Sequence, residues 1–209
     1  MERRFVPWRQ AAGAPARADA QVWRAPLLWQ RQDAGARVWC VRADLCDPAI
    51  PAAWRDEVWA LVRGTPQLRW HIATGRTGPL GGVLPADWGA GWAHVALGAV
   101  AEDADAARRG FAALRSVPAR ARFLFCPAEC RMLDLAGAGW DLCPRCEGAG
   151  AVEAGGSAAC LLCEACLGSG HAARPCVEAV FCAPGAHGTA NLERQCMAAG
   201  VGFELCDAG

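Results

Sequence analysis

The sequence predicts an α/β fold, an incomplete or open (β/α) barrel-like parallel sheet carrying a small cysteine-rich zinc-knuckle insert. Three observations predict it. Short apolar runs suited to buried strands alternate with stretches that show one apolar helical face, the pattern of a parallel sheet. About six such strands can be counted, too few for a closed eight-stranded barrel. Between the fourth and fifth of them, a C-x-x-C-x-G-x-G unit occurs twice.

Residues 1–36 read as an irregular N-terminal arm. Pro7, Pro15 and Pro26 punctuate it, and Trp8, Trp23 and Trp29 are suited to packing it onto the body. Arg37–Arg42 is the first apolar run. Pro51 opens a helix with Trp54, Val58, Leu61 and Val62 on one face and Gly64 as its stop. Strands are expected over Leu68–Ala73 and Ala93–Gly98. Asp103 can cap a helix whose Ala104, Ala107, Phe111 and Leu114 share a face. Further strands fall at Arg122–Cys126 and Val177–Cys182. A helix over Thr189–Ala199 ends at Gly200, and a last strand spans Val201–Leu205. The domain reading is an α/β body of residues 37–140 and 172–209, interrupted by a metal-binding module at 141–171.

Composition removes several kinds of chemistry. The chain has 209 residues, 54% hydrophobic and 20% charged, which favours a packed core over disorder. Every basic residue is arginine, so a lysine Schiff base and a P-loop lysine are excluded. Tyrosine is absent, and the three serines have no histidine beside them, which speaks against a serine hydrolase. Formal net charge is zero, which argues against a broad electrostatic grip on nucleic acid. The start of the chain is polar and no run is long enough to span a membrane. With C-x-x-C pairs and no apolar leader, the expectation is a cytoplasmic protein whose cysteines bind metal rather than form disulfides.

The sharpest motif is Cys143-Pro-Arg-Cys146-Glu-Gly-Ala-Gly150 followed by Cys163-Glu-Ala-Cys166-Leu-Gly-Ser-Gly170. Two thiolates on one tight turn make half of a tetrahedral site, and a second turn completes it. Cys143, Cys146, Cys163 and Cys166 are therefore the expected ligands of one zinc ion. Cys160 is an alternative ligand, since Cys160-Leu-Leu-Cys163 is also C-x-x-C. The pair followed by glycines is preferred, because those glycines let backbone N–H groups turn toward sulfur. The knuckles are similar to those of the cysteine-rich domain of DnaJ co-chaperones. An iron–sulfur cluster is less favoured, because the run from Cys160 has serine at 169, where a ferredoxin-like spacing needs cysteine. His171 is a substitute ligand in principle.

Residues 26–206 resemble a phage-associated family of uncharacterised, three-cysteine, radical-SAM-like barrel proteins. The resemblance rests on Pro26-Leu-Leu-Trp29, Arg37-Val-Trp-Cys-Val-Arg-Ala-Asp44, Ile72-Ala-Thr74-Gly-Arg76 and Leu97-Gly-Ala-Val-Ala-Glu102-Asp103. Arg122-Phe-Leu-Phe-Cys-Pro-Ala-Glu129 and Gln195-Cys196-Met-Ala-Ala-Gly200-Val-Gly-Phe203 follow in the same order. The chain departs from the family in three places. It has no cysteine before Cys40, Gly75 stands where relatives have lysine, and Cys182-Ala-Pro184 replaces a Gly-Gly-Glu. The resemblance implies a radical-SAM-like scaffold that has lost the cysteines needed for the chemistry.

Residues just after strands can line a polar pocket, so Asp44, Arg76, Glu102 and Glu129 are the candidate catalytic residues. Cys40, Cys46, Cys126, Cys182 and Cys206 also fall near strand ends. They are either buried structural thiols or a second metal or redox site. The alternative to an enzyme-derived scaffold is a module that binds nucleic acid or protein through zinc knuckles and exposed tryptophan and arginine. The module itself is expected after the fourth strand, on the ligand-binding face of the sheet.

Overall fold

The architecture comes from a computed structural model that describes residues 1–11, 14–75, 80–143, 145–153, 160–167, 169–172 and 174–206. Its first part contains β1 (Glu2–Arg4), β2 (Trp8–Ala11), β3 (Ala14–Arg17), α1 (Ala20–Gln32), β4 (Arg37–Cys40), α2 (Ala52–Arg63) and β5 (Arg69–Thr74). Next come β6 (Val95–Val100), α3 (Ala104–Arg115) and β7 (Ala121–Cys126). The insert carries β8 (Ala151–Glu153) and β9 (Cys160–Leu162). The chain closes with β10 (Ala179–Cys182), α4 (Thr189–Ala199) and β11 (Gly202–Leu205).

Seven strands, all parallel, form one curled half-barrel sheet in the order β1-β4-β5-β6-β7-β10-β11. Alternate side chains go to opposite faces. Val38, Trp70, Ile72, Leu97, Leu124 and Val180 pack outward into the larger core, together with Val58 and Val62 of α2, Phe111 and Leu114 of α3 and Leu192 of α4. Trp39, Phe123, Phe125 and Phe181 point into the concave face and fill it. Trp39 lies edge-on to Phe123 and Phe181, with ring centroids 5.9 and 4.9 Å apart. Gly98 makes this filling possible, because a β-carbon there would stand 2.3 Å from the Phe123 ring. The curl brings the far edges together. Arg37 of β4 bonds Glu204 of β11 at 2.7 Å and Glu2 of β1 at 3.1 Å.

The expected helices form where their caps predict. Asp103 accepts a hydrogen bond from Ala106 N–H, and Gly200 adopts a left-handed φ of 67° beyond α4. The N-terminal arm differs from the expectation of irregular chain. β1 joins the main sheet, β2 and β3 make an antiparallel hairpin, and α1 runs through Pro26. Asp19 caps α1 by accepting from Gln21 and Val22 N–H groups. Val22, Trp23 and Trp29 of α1 then pack on the core, and this burial offsets the backbone hydrogen bond that Pro26 removes.

Between β7 and β10 the chain takes a path on which the described residues form no crossover helix. Leu133, Leu135, Ala138 and Trp140 are buried along this path. Arg115, at the carboxyl end of α3, donates to the Gly139 carbonyl at 2.9 Å, and Cys176 N–H donates to the Trp140 carbonyl at 2.7 Å. These anchors lie beside the start of β7, where Glu178 N–H bonds the Arg122 carbonyl. The cysteine module therefore hangs from the amino-end side of the sheet. It was expected on the ligand-binding face, at the carboxyl ends. The buried path of residues 127–140 carries the chain away from that face first. No described helix is long and apolar enough to cross a membrane.

Candidate metal centre

The module is built from two copies of one turn. Cys143 N–H bonds the Gly170 carbonyl at 2.9 Å, and Cys163 N–H bonds the Gly150 carbonyl at 2.9 Å. Glu147 and Leu167 occupy matching places with φ of 48° and 51°, and Gly150 and Gly170 follow at 71° and 77°. Gly170 has no room for a side chain, because a β-carbon would stand 2.4 Å from the Gly148 carbonyl oxygen. Each copy aims a backbone N–H at a sulfur. Gly150 N–H donates to Cys146 Sγ and Gly170 N–H to Cys166 Sγ, both at 3.3 Å.

These turns bring Cys143, Cys146, Cys163 and Cys166 together, all buried, with their sulfurs within 4.8 Å of one another. Cys143 and Cys163 sulfurs are 3.8 Å apart, and those of Cys146 and Cys166 are 3.6 Å apart. Four sulfurs about 2.3 Å from a central zinc ion stand about 3.8 Å apart along tetrahedral edges. The group can hold a metal ion. Burial pushes the Cys146 thiol up to about 11. Burial also pushes the Cys166 thiol up, but the Gly170 N–H and the neighbouring thiols outweigh it and hold Cys166 at about 7. A thiolate is thus favoured at one position and opposed at the other. A divalent cation removes the conflict by taking all four as thiolates and releasing their protons.

The side chain of Cys160 lies outside the described residues, although its backbone belongs to β9. His171 is exposed and pairs with Asp141 at 3.2 Å, away from the sulfurs. Among the described residues no other set of three or more ligating side chains is as tightly grouped. The strand-end cysteines are divided between faces. Cys40, Cys126 and Cys182 belong to the helix-facing core, and Cys206 belongs to the concave cluster. Cys126 and Cys182 are register partners, and the Cys126 thiol also meets Cys130. That contact was not foreseen, because Cys130 follows the strand in an irregular turn.

Three of the four candidate catalytic residues, Asp44, Glu102 and Glu129, lie just beyond the carboxyl ends of the strands, away from the module's anchors. Asp44 follows β4 and ties two loops together. It accepts from the Thr74 hydroxyl at 2.6 Å, from Cys46 N–H at 2.9 Å and from Gly75 N–H at 3.1 Å. Glu102 and Glu129 follow β6 and β7 and are exposed. Arg76 lies outside the described residues. The tryptophans pack, as the preferred reading has it, and the alternative of exposed rings finds no support in them. All ten are buried or half-buried, because rings such as Trp59, Trp88 and Trp92 pack on one another with centroids 5.5–5.9 Å apart.

The model of a family described as "Protein of unknown function (DUF5131)" matches residues 5–209. No curated protein and no solved structure matches the chain.

Proposed function

The chain belongs to the DUF5131 family, and we propose that it is a zinc-binding protein whose metal locks residues 141–171 as a rigid module for binding. One zinc ion is held by Cys143, Cys146, Cys163 and Cys166. The observation that carries this reading is the combination of tetrahedral sulfur spacing with almost no apolar core around it. Val152 is the one partly buried hydrophobic packed against the four cysteines among the described residues. A module this poor in apolar burial needs another source of folding energy, and a structural zinc site supplies it. Four thiolates around a single ion suit zinc. A multi-iron cluster needs its cysteines spread over separate irons.

The resemblance of residues 26–206 supports a phage-related origin on a radical-SAM-like scaffold, without intact radical chemistry. Asp44 is engaged by three donors from this chain, which supports a positioning role for it. A reduced thiolate site also favours a cytoplasmic setting. The Cys143→Ser, Cys146→Ser double variant tests the reading. It should lose the metal and raise hydrogen exchange across residues 141–172, while the sheet keeps its protection. Unchanged metal content would overturn the ligand assignment, and global unfolding would overturn the view of a locally folded insert.

A further inference from the structure

The module presents three large apolar side chains to solvent. Leu161 and Leu162 of β9 are 57% and 67% exposed, and Leu167 on the second knuckle is 80% exposed. Their setting is unusual in two ways. The fold gains nothing by placing leucine at 167, where φ is 51° and the left-handed backbone costs about 1–2 kcal/mol for such a residue. The matching place in the first knuckle carries Glu147, also exposed. Among the described residues the ribbon of β8 and β9 has two strands and no third strand beside its leucines. The base of the module, by contrast, is turned toward the body. Leu142 packs over Gly139 and Gly148, and the Leu142–His171 bridge leads to the anchors at Trp140 and Cys176. Leu161 and Leu162 are neighbours on β9 and so face opposite sides of the ribbon, and Leu167 stands on the second knuckle, so the ribbon offers an apolar side chain on each face.

Charge selects the partner. Residues 141–171 contain one arginine, Arg145, against the carboxylates Asp141, Glu147, Glu153 and Glu164. Arg145 stands 3.9 Å from Glu164, and Asp141 faces His171. Zinc held by four thiolates adds further negative charge. Such a surface repels phosphate and attracts arginine or lysine. We propose that the loaded module is a docking head for a protein partner that offers an apolar strip rimmed by arginine or lysine. This rests on the zinc reading above, since metal both orders the ribbon and completes its negative charge.

The test uses the full chain with its zinc content measured on the same sample. Fluorescent peptides alternating leucine with arginine, and leucine with glutamate, serve as probes beside a single-stranded oligonucleotide. The leucine–arginine peptide should bind at least roughly tenfold more tightly than either of the other two. Combined Leu161→Ser, Leu162→Ser and Leu167→Gly replacement should weaken it by roughly tenfold with zinc content unchanged. Glu147→Arg should weaken it too, with zinc again retained. A zinc-loaded chain that ignores the peptide, binds both peptides alike or prefers the oligonucleotide overturns the docking proposal alone. A leucine-replaced variant that binds like the parent overturns it as well. A chain purified without zinc removes the metal reading on which the proposal rests.

Discussion

Replacing Gly98 by alanine adds one methyl group to the most crowded part of the concave face. That carbon would lie 2.3, 2.4 and 2.6 Å from three atoms of the Phe123 ring. An ordinary carbon–carbon contact is about 3.5–4.0 Å, so ring or strand must move by more than about 1 Å. The ring has little room to move. Trp39, His71 and Phe181 surround it, with centroids 5.9, 5.3 and 5.6 Å away. Overpacking of this kind costs about 1–3 kcal/mol, and the rigid ring neighbours place Gly98→Ala toward the upper end. Alanine recovers about 0.5–1 kcal/mol in strand propensity, which does not cancel the clash. Urea unfolding of the parent and variant measures the difference, with an unchanged slope expected. Phe123→Leu in the same chain should relieve the clash, giving a coupling of about 1 kcal/mol or more in a double-mutant cycle. An alanine variant as stable as the parent, or a double variant showing no coupling, would refute the account of a face filled by these rings.

Burial, reinforced by the Arg37 guanidinium, holds the His71 imidazole down to about 4, below its ordinary 6.5. The unfolded chain therefore binds the proton first, so stability is full above pH 6.5 and is lost as pH falls toward 4. Between pH 7 and pH 5 the loss from this one group is about 2 kcal/mol; His71→Asn should remove that part of the pH dependence in unfolding titrations, and an unchanged profile would contradict it. Asp44→Ala removes two hydrogen bonds that join the loop after β4 to the end of β5 and a third within that loop. It should lower stability by about 1–3 kcal/mol in thermal unfolding and leave metal content unchanged.

The regular body was legible because its signals are local. Asp103 marks a helix start by side-chain chemistry and Gly200 a helix end by left-handed backbone. Alternation in Arg122–Cys126 already separates the concave Phe123 and Phe125 from the helix-facing Leu124. β1 was not legible, since Glu2-Arg-Arg4 carries no apolar residue. Its place depends on pairing with β4 and on Arg37, which lies 35 residues away. Pro26 concealed α1 because its penalty is visible in the sequence, whereas the core that receives Trp23 and Trp29 is not. The four cysteines could be read from spacing alone, because a C-x-x-C-x-G-x-G turn fixes its own sulfur geometry. Where the module hangs could not. That depends on Leu133, Leu135, Ala138 and Trp140 burying the crossover and on Arg115 holding Gly139.

The most direct test of the central claim is elemental analysis of anaerobically purified protein together with its visible spectrum. About one zinc per chain and no colour is the predicted result. Iron with a visible absorption band, or a chain that carries no metal, would contradict it.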